Sequence, residues 1–151
     1  YGAGIEGCSG TSNKPVAAAD VKPGIAFAGG GAENAGIQGG SVFAYDVATG
    51  KQIAKTMLDY PNYAGVSLTP GLVWAGTLDG TFAAYDMKTL QPKWSVNVGN
   101  AITAPPMTYS VGGKEYVAIL AGAPSSGSPG INFGHPELNK PADNMLYVFS
   151  L

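Results

Sequence analysis

Residues 80–89 read GTFAAYDMKT, and residues 40–49, forty positions earlier, read GSVFAYDVAT. Both segments end in Ala-Tyr-Asp-x-x-Thr, and their aromatic and alternating content is typical of a strand followed by a turn. A second matching pair lies upstream, at residues 23–29 (PGIAFAG) and 70–76 (PGLVWAG), with an offset of 47 positions. A repeat of 40 to 47 residues predicts an architecture of stacked supersecondary units.

Turn residues divide the second repeat into four short predicted strands, at 63–69, 72–77, 81–86 and 93–98. The Asp79-Gly80 pair suits a tight hairpin because glycine adopts positive φ without steric cost. Four antiparallel strands in about 40 residues are typical of one blade of a β-propeller. A β-sandwich also has short strands, but it does not require ten aligned positions at a fixed offset.

A third, weaker copy uses residues 116–122 and 145–151 as strands, joined by a long polar loop. We therefore predict an all-β chain that forms a partial β-propeller of about three to three and a half four-stranded blades. The predicted blades are residues 1–60, 61–99 and 100–151, the last without its outer strand. Closed propellers use about four to eight blades. We expect further blades, in sequence outside this chain or in a partner chain, to complete the ring.

The composition supports an all-β chain and excludes several classes of function. The 23 Gly and 11 Pro leave no stretch free of both that is longer than residues 81–91, which removes long helices. Hydrophobic residues reach 45% and charged residues only 12%, so the chain is not disordered through high charge. A net charge of −2 without a basic cluster argues against a nucleic-acid partner. The longest apolar run, 116–121, is too short for a transmembrane segment.

Residues 84–94 (AYDMKTLQPKW) resemble the tryptophan-docking repeat, Ala-x-Asp-x-x-Thr-Gly-x-x-x-Trp, of the pyrroloquinoline quinone (PQQ) dependent alcohol and methanol dehydrogenases. The second copy keeps Trp94 but has Leu90 where the Gly belongs, and the first copy keeps Gly50 but has Ala54 where the Trp belongs. Residues 99–109 and 113–118 are similar to the segment that enters the last blade of that family's eight-bladed propeller. In this motif a large indole plate packs between blades.

The resemblance implies that this chain is the C-terminal segment of the propeller, completed by the remaining N-terminal blades or a partner chain, in a periplasmic enzyme that oxidises a small alcohol. Hydride would pass to PQQ, held over Ca²⁺ or a lanthanide, and electrons would pass on to a c-type cytochrome. The family's metal ligands and catalytic base are expected upstream, so no catalytic or metal-binding residue is assigned to this chain. The alternative is a non-catalytic propeller scaffold with the same repeats, which binds protein partners in the bacterial envelope.

Two short segments are candidates for contact with the cofactor. By the same resemblance, Tyr63, Ala64 and Gly65 lie near the quinone, where Tyr63 supplies a flat contact and Gly65 allows close backbone approach. An ordinary inner-strand tyrosine is the alternative. Ile5 and Glu6 resemble an inner-strand segment near the cofactor's carbonyls, although Ile5 stands where some relatives place Asn, and Glu6 also suits a structural or surface role. His135 has no second His or Cys nearby in sequence and is not expected to bind a metal.

Overall fold

The computed structural model describes residues 2–6, 37, 39–122, 135–138 and 143–151, the first segment by its backbone only. Within these ranges the chain forms three antiparallel sheets, with strand orders β1-β2-β3, β4-β5-β6-β7 and β8-β9-β10. None of the helical structure in the described ranges has the length and apolarity needed to cross a bilayer. The strands are β1 (Gly2–Glu6), β2 (Gly39–Tyr45), β3 (Gln52–Leu58), β4 (Val66–Thr69), β5 (Leu72–Gly76), β6 (Thr81–Asp86), β7 (Pro92–Asn97), β8 (Met107–Val111), β9 (Lys114–Ala121) and β10 (Met145–Ser150).

The second sheet is buried on both faces, and this arrangement follows from the period-2 alternation of its strands. Along β5 and β6, Trp74 and Phe82 point to one face, whereas Val73 and Tyr85 point to the other. The first face packs against the third sheet, and the second face packs against the first sheet around Val42. The inner strands β4 and β8 of neighbouring sheets approach each other. Three sheets stacked side by side in this way form a partial β-propeller, which confirms the predicted fold class.

Aromatic rings fill the interface between the second and third sheets. The ring of Phe82 stacks on that of Trp74 at 5.4 Å between centroids and lies 5.6 Å from that of Phe149 in β10. Ile102 is fully buried beside Gly76, where an added Cβ would lie 2.5 Å from the Ile102 Cγ2 atom. Glycine at position 76 is therefore required by packing.

Trp94 lies at the rim of this interface rather than inside it. Its ring contacts those of Phe149 at 5.5 Å and Trp74 at 6.1 Å, both edge-on. The side chain nevertheless remains 42% exposed. The sequence predicts an indole plate packed between blades; the contact with the neighbouring sheet is present, but only part of the ring is buried.

Several strand boundaries differ from the predicted ones. The strand β4 begins at Val66, not at residue 63, because the preceding residues form a turn in which Gly65 has a φ of 75°. The strand β5 ends at Gly76 because the N–H of Thr77 donates to the carbonyl of Thr81 within the hairpin. In the third sheet the two predicted strands, 116–122 and 145–151, correspond to β9 and β10, and β8 pairs with β9 on its other side.

The first sheet pairs differently from the repeat. The predicted equivalent of β5 in this unit, residues 23–29, lies outside the described residues. The structure places β1 beside β2, with Ala3 opposite Val42, in the position that β5 has beside β6. An exposed strand edge offers the same backbone donors and acceptors to any extended segment, so a sequence repeat does not determine the pairing partner.

The two Asp-x-x-Thr turns of the repeat have the same hydrogen bonds. The Oδ1 atom of Asp86 accepts from the backbone N–H of Thr89 at 3.0 Å and from its hydroxyl at 3.1 Å. Asp46 and Thr49 repeat this pattern at 2.7 and 2.8 Å. Donation by the Thr89 backbone is the main cause that holds the pKa of Asp86 below its ordinary value. The shared motif is thus explained by turn chemistry.

Leu90 occupies the position where the docking motif has glycine. Its φ is 55°, close to the 67° of the equivalent Gly50, and its side chain is fully buried. Replacing Leu90 with Gly would relieve about 1–2 kcal/mol of backbone strain but remove a buried side chain worth about 2–5 kcal/mol. We expect Leu90→Gly to lower the free energy of unfolding by about 1–3 kcal/mol in denaturant titrations. A variant as stable as wild type would show that the relief of strain offsets the lost burial, and a more stable variant would show that strain dominates at this position.

Candidate functional site

The turn that leads into β4 is held by one buried amide side chain. The Nδ2 atom of Asn62 donates to the carbonyls of Gly76 at 2.7 Å and Gly65 at 3.2 Å. Its Oδ1 atom accepts from the Gly65 N–H at 2.9 Å. Asn62 is almost completely buried, and its bond to the Gly76 carbonyl is made away from water, whereas the two bonds to Gly65 are only partly buried. The turn is therefore fixed to the end of β5 as well as to itself.

This turn places the three predicted contact residues in distinct environments. Ala64 is buried in the aromatic cluster between the second and third sheets, whereas the Tyr63 side chain is 62% exposed. Gly65 has open space within 4 Å of the position that a Cβ would occupy. The arrangement presents an aromatic ring next to a backbone segment without a side chain. A flat ligand such as a quinone fits these residues, because a ring can stack on Tyr63 while the Gly65 backbone approaches closely.

The other predicted contact residues lie in a different sheet. Ile5 and Glu6 pair with Gly40 and Gly39 in β1 and β2. Only the backbone of this strand is described, so the cofactor contact of Ile5 and Glu6 stays a prediction. Within the described ranges, no three His, Cys, Asp or Glu side chains converge into a group that could hold a metal ion. The metal ligands expected upstream likewise stay a prediction.

A polar cluster that the sequence analysis did not anticipate surrounds His135. The His135 Nδ1 atom lies 3.0 Å from the Glu137 Oε1 atom, which also accepts from the Tyr60 hydroxyl at 3.2 Å. The rings of Tyr60 and His135 lie 4.5 Å apart. The pKa of Glu137 lies below its ordinary value, mainly because its own backbone N–H bonds to the carboxylate and, second, because His135 does. The cluster connects the segment before β10 to the segment before β4. Because Tyr60 and His135 are 75 positions apart in the sequence, a local sequence pattern does not predict this contact.

Asn62 was also missed as a site residue, although a signal was present. An Asn three residues before a Gly at the start of a strand is typical of a turn closed by a side-chain amide. The resemblance predicts contacts for Tyr63 and Gly65, whereas the residue that positions both is the adjacent Asn62. The hydrogen bond from Asn62 to Gly76 spans 14 positions and becomes evident only in the folded sheet.

Comparison with curated proteins shows which class this chain resembles. The chain is 38% identical over 84 residues to the quinoprotein alcohol dehydrogenase PedE of Pseudomonas putida, a match that covers 55% of this chain and 13% of that protein. It is 34% identical over 85 residues to the lanthanide-dependent methanol dehydrogenase of Methylacidiphilum fumariolicum, with 55% and 14% covered. Subunit 1 of the methanol dehydrogenase [cytochrome c] of Paracoccus denitrificans is 35% identical over 101 residues, with 66% and 15% covered. No family model matches the chain.

Solved structures lead to the same class. A europium-containing methanol dehydrogenase superposes with a TM-score of 0.61 at 27% identity, over 74% of this chain and 23% of that one. A quinohemoprotein alcohol dehydrogenase from Comamonas testosteroni, with a TM-score of 0.56 at 24% identity, covers 75% of this chain and 16% of its own and supports the fold alone. The chain is thus similar, in sequence and fold, to quinoprotein alcohol and methanol dehydrogenases. It spans only 13% to 15% of the length of the three curated relatives named above.

Proposed function

We propose that this chain is the C-terminal part of the propeller of a PQQ-dependent dehydrogenase that oxidises small alcohols. The observation that carries the proposal is the Asn62-fixed turn before β4, which presents Tyr63 and the open backbone of Gly65. β4 is the edge strand of its sheet that approaches β8 of the next sheet, so the turn lies where the inner strands converge. The similarity to quinoprotein dehydrogenases supports the choice of a quinone as the flat ligand.

In this proposal the chain binds and orients the cofactor. PQQ, when bound, supplies the acceptor for the hydride that leaves the alcohol. The Tyr63 ring packs against one edge or face of the cofactor. Gly65 allows the backbone to come close, while Asn62 and the buried Ala64 prevent the turn from shifting. The base that takes the alcohol proton, and the Ca²⁺ or lanthanide ligands, are proposed to lie in the remaining blades.

The outer face of the third sheet supports an assembly with further blades. Six apolar side chains on this face are between 43% and 62% exposed. Strand pairing places them on the side opposite to the buried interface with the second sheet. A contiguous apolar face of this kind normally packs against another element. The six are Met107, Tyr109, Val111, Leu120, Leu146 and Val148.

The electron acceptor and the compartment are part of the same proposal, and the name of one relative supports the choice of acceptor. A c-type cytochrome is the proposed acceptor, because the Paracoccus relative is named for cytochrome c. The proposed location is the periplasm, where such an electron transfer would occur. The names of two relatives mention a lanthanide, in one case europium, which supports a lanthanide as the metal, and Ca²⁺ is the alternative that the family resemblance implies.

The proposal is tested in the complete protein that contains this chain, reconstituted with PQQ and either Ca²⁺ or a lanthanide. We expect reconstitution to produce oxidation of primary alcohols in a dye-linked assay. Tyr63→Ala should weaken PQQ retention, followed by quinone absorbance, by about three- to tenfold, the value of one aromatic contact. Tyr45→Ala is the matched control, because Tyr45 is also exposed but pairs with the Phe43 ring in the first sheet.

Two results would contradict the proposal at different levels. A complete protein that neither binds PQQ nor oxidises alcohols rules out the dehydrogenase function. A protein that does both, but whose Tyr63→Ala variant retains PQQ like the Tyr45→Ala control, rules out the turn before β4 as a cofactor contact.

A further inference from the structure

The two interfaces of the second sheet differ at one equivalent position. Between the second and third sheets, Trp94 of β7 contacts Phe149 of β10. The repeat aligns Ala54 of β3 with Trp94. Tyr85 is the fifth residue of the six-residue β6, as Phe149 is of the six-residue β10. Ala54 packs against the cluster that contains Tyr85. The first interface, between the first and second sheets, therefore has an alanine beside Tyr85. The second interface, between the second and third sheets, has a tryptophan beside Phe149.

A cleft of about 270 Å³ lies at this first interface. Thr56, which points to the same face of β3 as Ala54, lines it together with Leu58, Ala75, Tyr85 and Pro92. Thr56 and Ala75 contribute only small side chains to this space, whereas the rim of the other interface carries the Trp94 ring. The cleft is large enough for one bicyclic molecule and is lined by about equally polar and apolar groups.

The Tyr85 hydroxyl is an unsatisfied polar group in the wall of this cleft. The side chain is only 7% exposed, and no donor or acceptor within the described ranges hydrogen-bonds to its hydroxyl. Burial, followed by the charge of Asp79, raises the pKa of this phenol, so it is neutral and can both donate and accept. A buried hydroxyl without a protein partner indicates that another polar molecule bonds to it.

One end of the cleft is acidic. Asp59 and Asp79 both line it, and no Lys or Arg does. The Asp79 carboxylate is held by the hydroxyls of Thr77 and Thr81 and by the Asn97 amide, which fix its position without neutralising its charge. Clefts lined by charges of one sign concentrate ligands of the opposite sign.

We propose that this cleft binds a small aromatic amine, whose ring takes the place of the absent tryptophan beside Tyr85 and whose ammonium group lies toward Asp59 and Asp79. The ring gains apolar contact with Leu58 and Pro92 and stacks on an aromatic wall. A ring N–H can donate to the Tyr85 oxygen. This site is independent of the cofactor contact proposed for Tyr63, because it lies on the opposite face of the second sheet from Ala64.

Tryptamine is the probe, and the complete protein is titrated with it by isothermal titration calorimetry. Indole has the same ring without the charge, and indole-3-propionate has the same ring with the opposite charge. We expect tryptamine to bind more tightly than indole, and indole-3-propionate to bind least. Asp59→Asn should reduce the preference of tryptamine over indole, because Asp59 is exposed at the acidic end and its replacement keeps the shape.

Two variants locate the binding. Ala54→Trp should fill the cleft and weaken tryptamine binding at least tenfold. Tyr85→Phe removes one oxygen and should weaken it by about three- to tenfold, the loss of one hydrogen bond. Tyr45→Phe is the matched control, since Tyr45 holds the same position in the preceding repeat and is exposed.

The proposal is overturned by any of three results. Tryptamine and indole-3-propionate could bind equally, tryptamine could fail to bind at millimolar concentration because the cleft holds only water, or binding could persist unchanged in Tyr85→Phe. If the bulkier Ala54→Trp variant does not fold, unchanged binding in Tyr85→Phe is by itself sufficient to overturn the proposal.

Discussion

Replacing Phe82 with alanine is expected to lower the free energy of unfolding by about 3–5 kcal/mol, the usual cost of removing a fully buried aromatic side chain. Phe82 has no exposed surface and its ring contacts three others. One of these belongs to the third sheet, so the substitution opens a cavity at the interface and not only within one blade. Denaturant titration of the complete protein, followed by fluorescence, measures the effect.

The matched control is Phe43→Ala in β2. Phe43 is only partly buried, and its described ring contact is with Tyr45 in the same strand. We expect it to cost clearly less than Phe82→Ala. If both substitutions cost the same, or if Phe82→Ala costs under about 1 kcal/mol, the packing between the second and third sheets is not a main source of stability.

Asn62→Ala is expected to lower the free energy of unfolding by about 2–4 kcal/mol, because it leaves the buried Gly76 carbonyl without its side-chain partner and removes two further bonds to the partly buried Gly65. It should also weaken PQQ retention, since the turn that presents Tyr63 loses its support. Thermal melting measures the loss of stability, and quinone absorbance follows PQQ retention. Hydrogen exchange of the Gly65 amide reports the loosened turn directly, with faster exchange expected in the variant.

Asn97→Ala is the control for this substitution. Asn97 also bonds to a turn, through Asp79 and Thr81, but it is exposed, so water replaces its bonds. We expect a cost of about 1 kcal/mol or less for Asn97→Ala. A wild-type melting temperature and unchanged Gly65 exchange in Asn62→Ala would remove Asn62 from its positioning role.

Local patterns were sufficient to predict the all-β class and part of the second blade. The Asp79-Gly80 pair fixes a hairpin whose second strand runs from Thr81 to Asp86, as expected from sequence. The start of β4 could not be predicted, because the turn at Gly65 depends on the bond between Asn62 and a different strand. The partial exposure of Trp94 was likewise hidden, since a motif specifies the residue but not how far the neighbouring sheet extends over it.

The candidate site was predictable only in part, and for a related reason. Tyr63 and Gly65 were identified through resemblance to a family, whereas Asn62 acts through backbone contacts that the motif does not include. The cleft beside Tyr85 required two sheets to be placed against each other. The sequence contains its signal, the exchange of Trp94 for Ala54 between repeats, but not the resulting shape.

The two-faced second sheet affects how unfolding can proceed. Val73 and Trp74 are neighbours in β5 but belong to opposite interfaces. The two interfaces therefore share one strand and cannot separate independently of each other. When β5 leaves the sheet, the contacts on both sides are exposed in the same event. Nearest-neighbour coupling of this kind makes adjacent blades melt as one cooperative unit. A substitution that weakens one of these interfaces therefore also destabilises the other, through the five residues of β5.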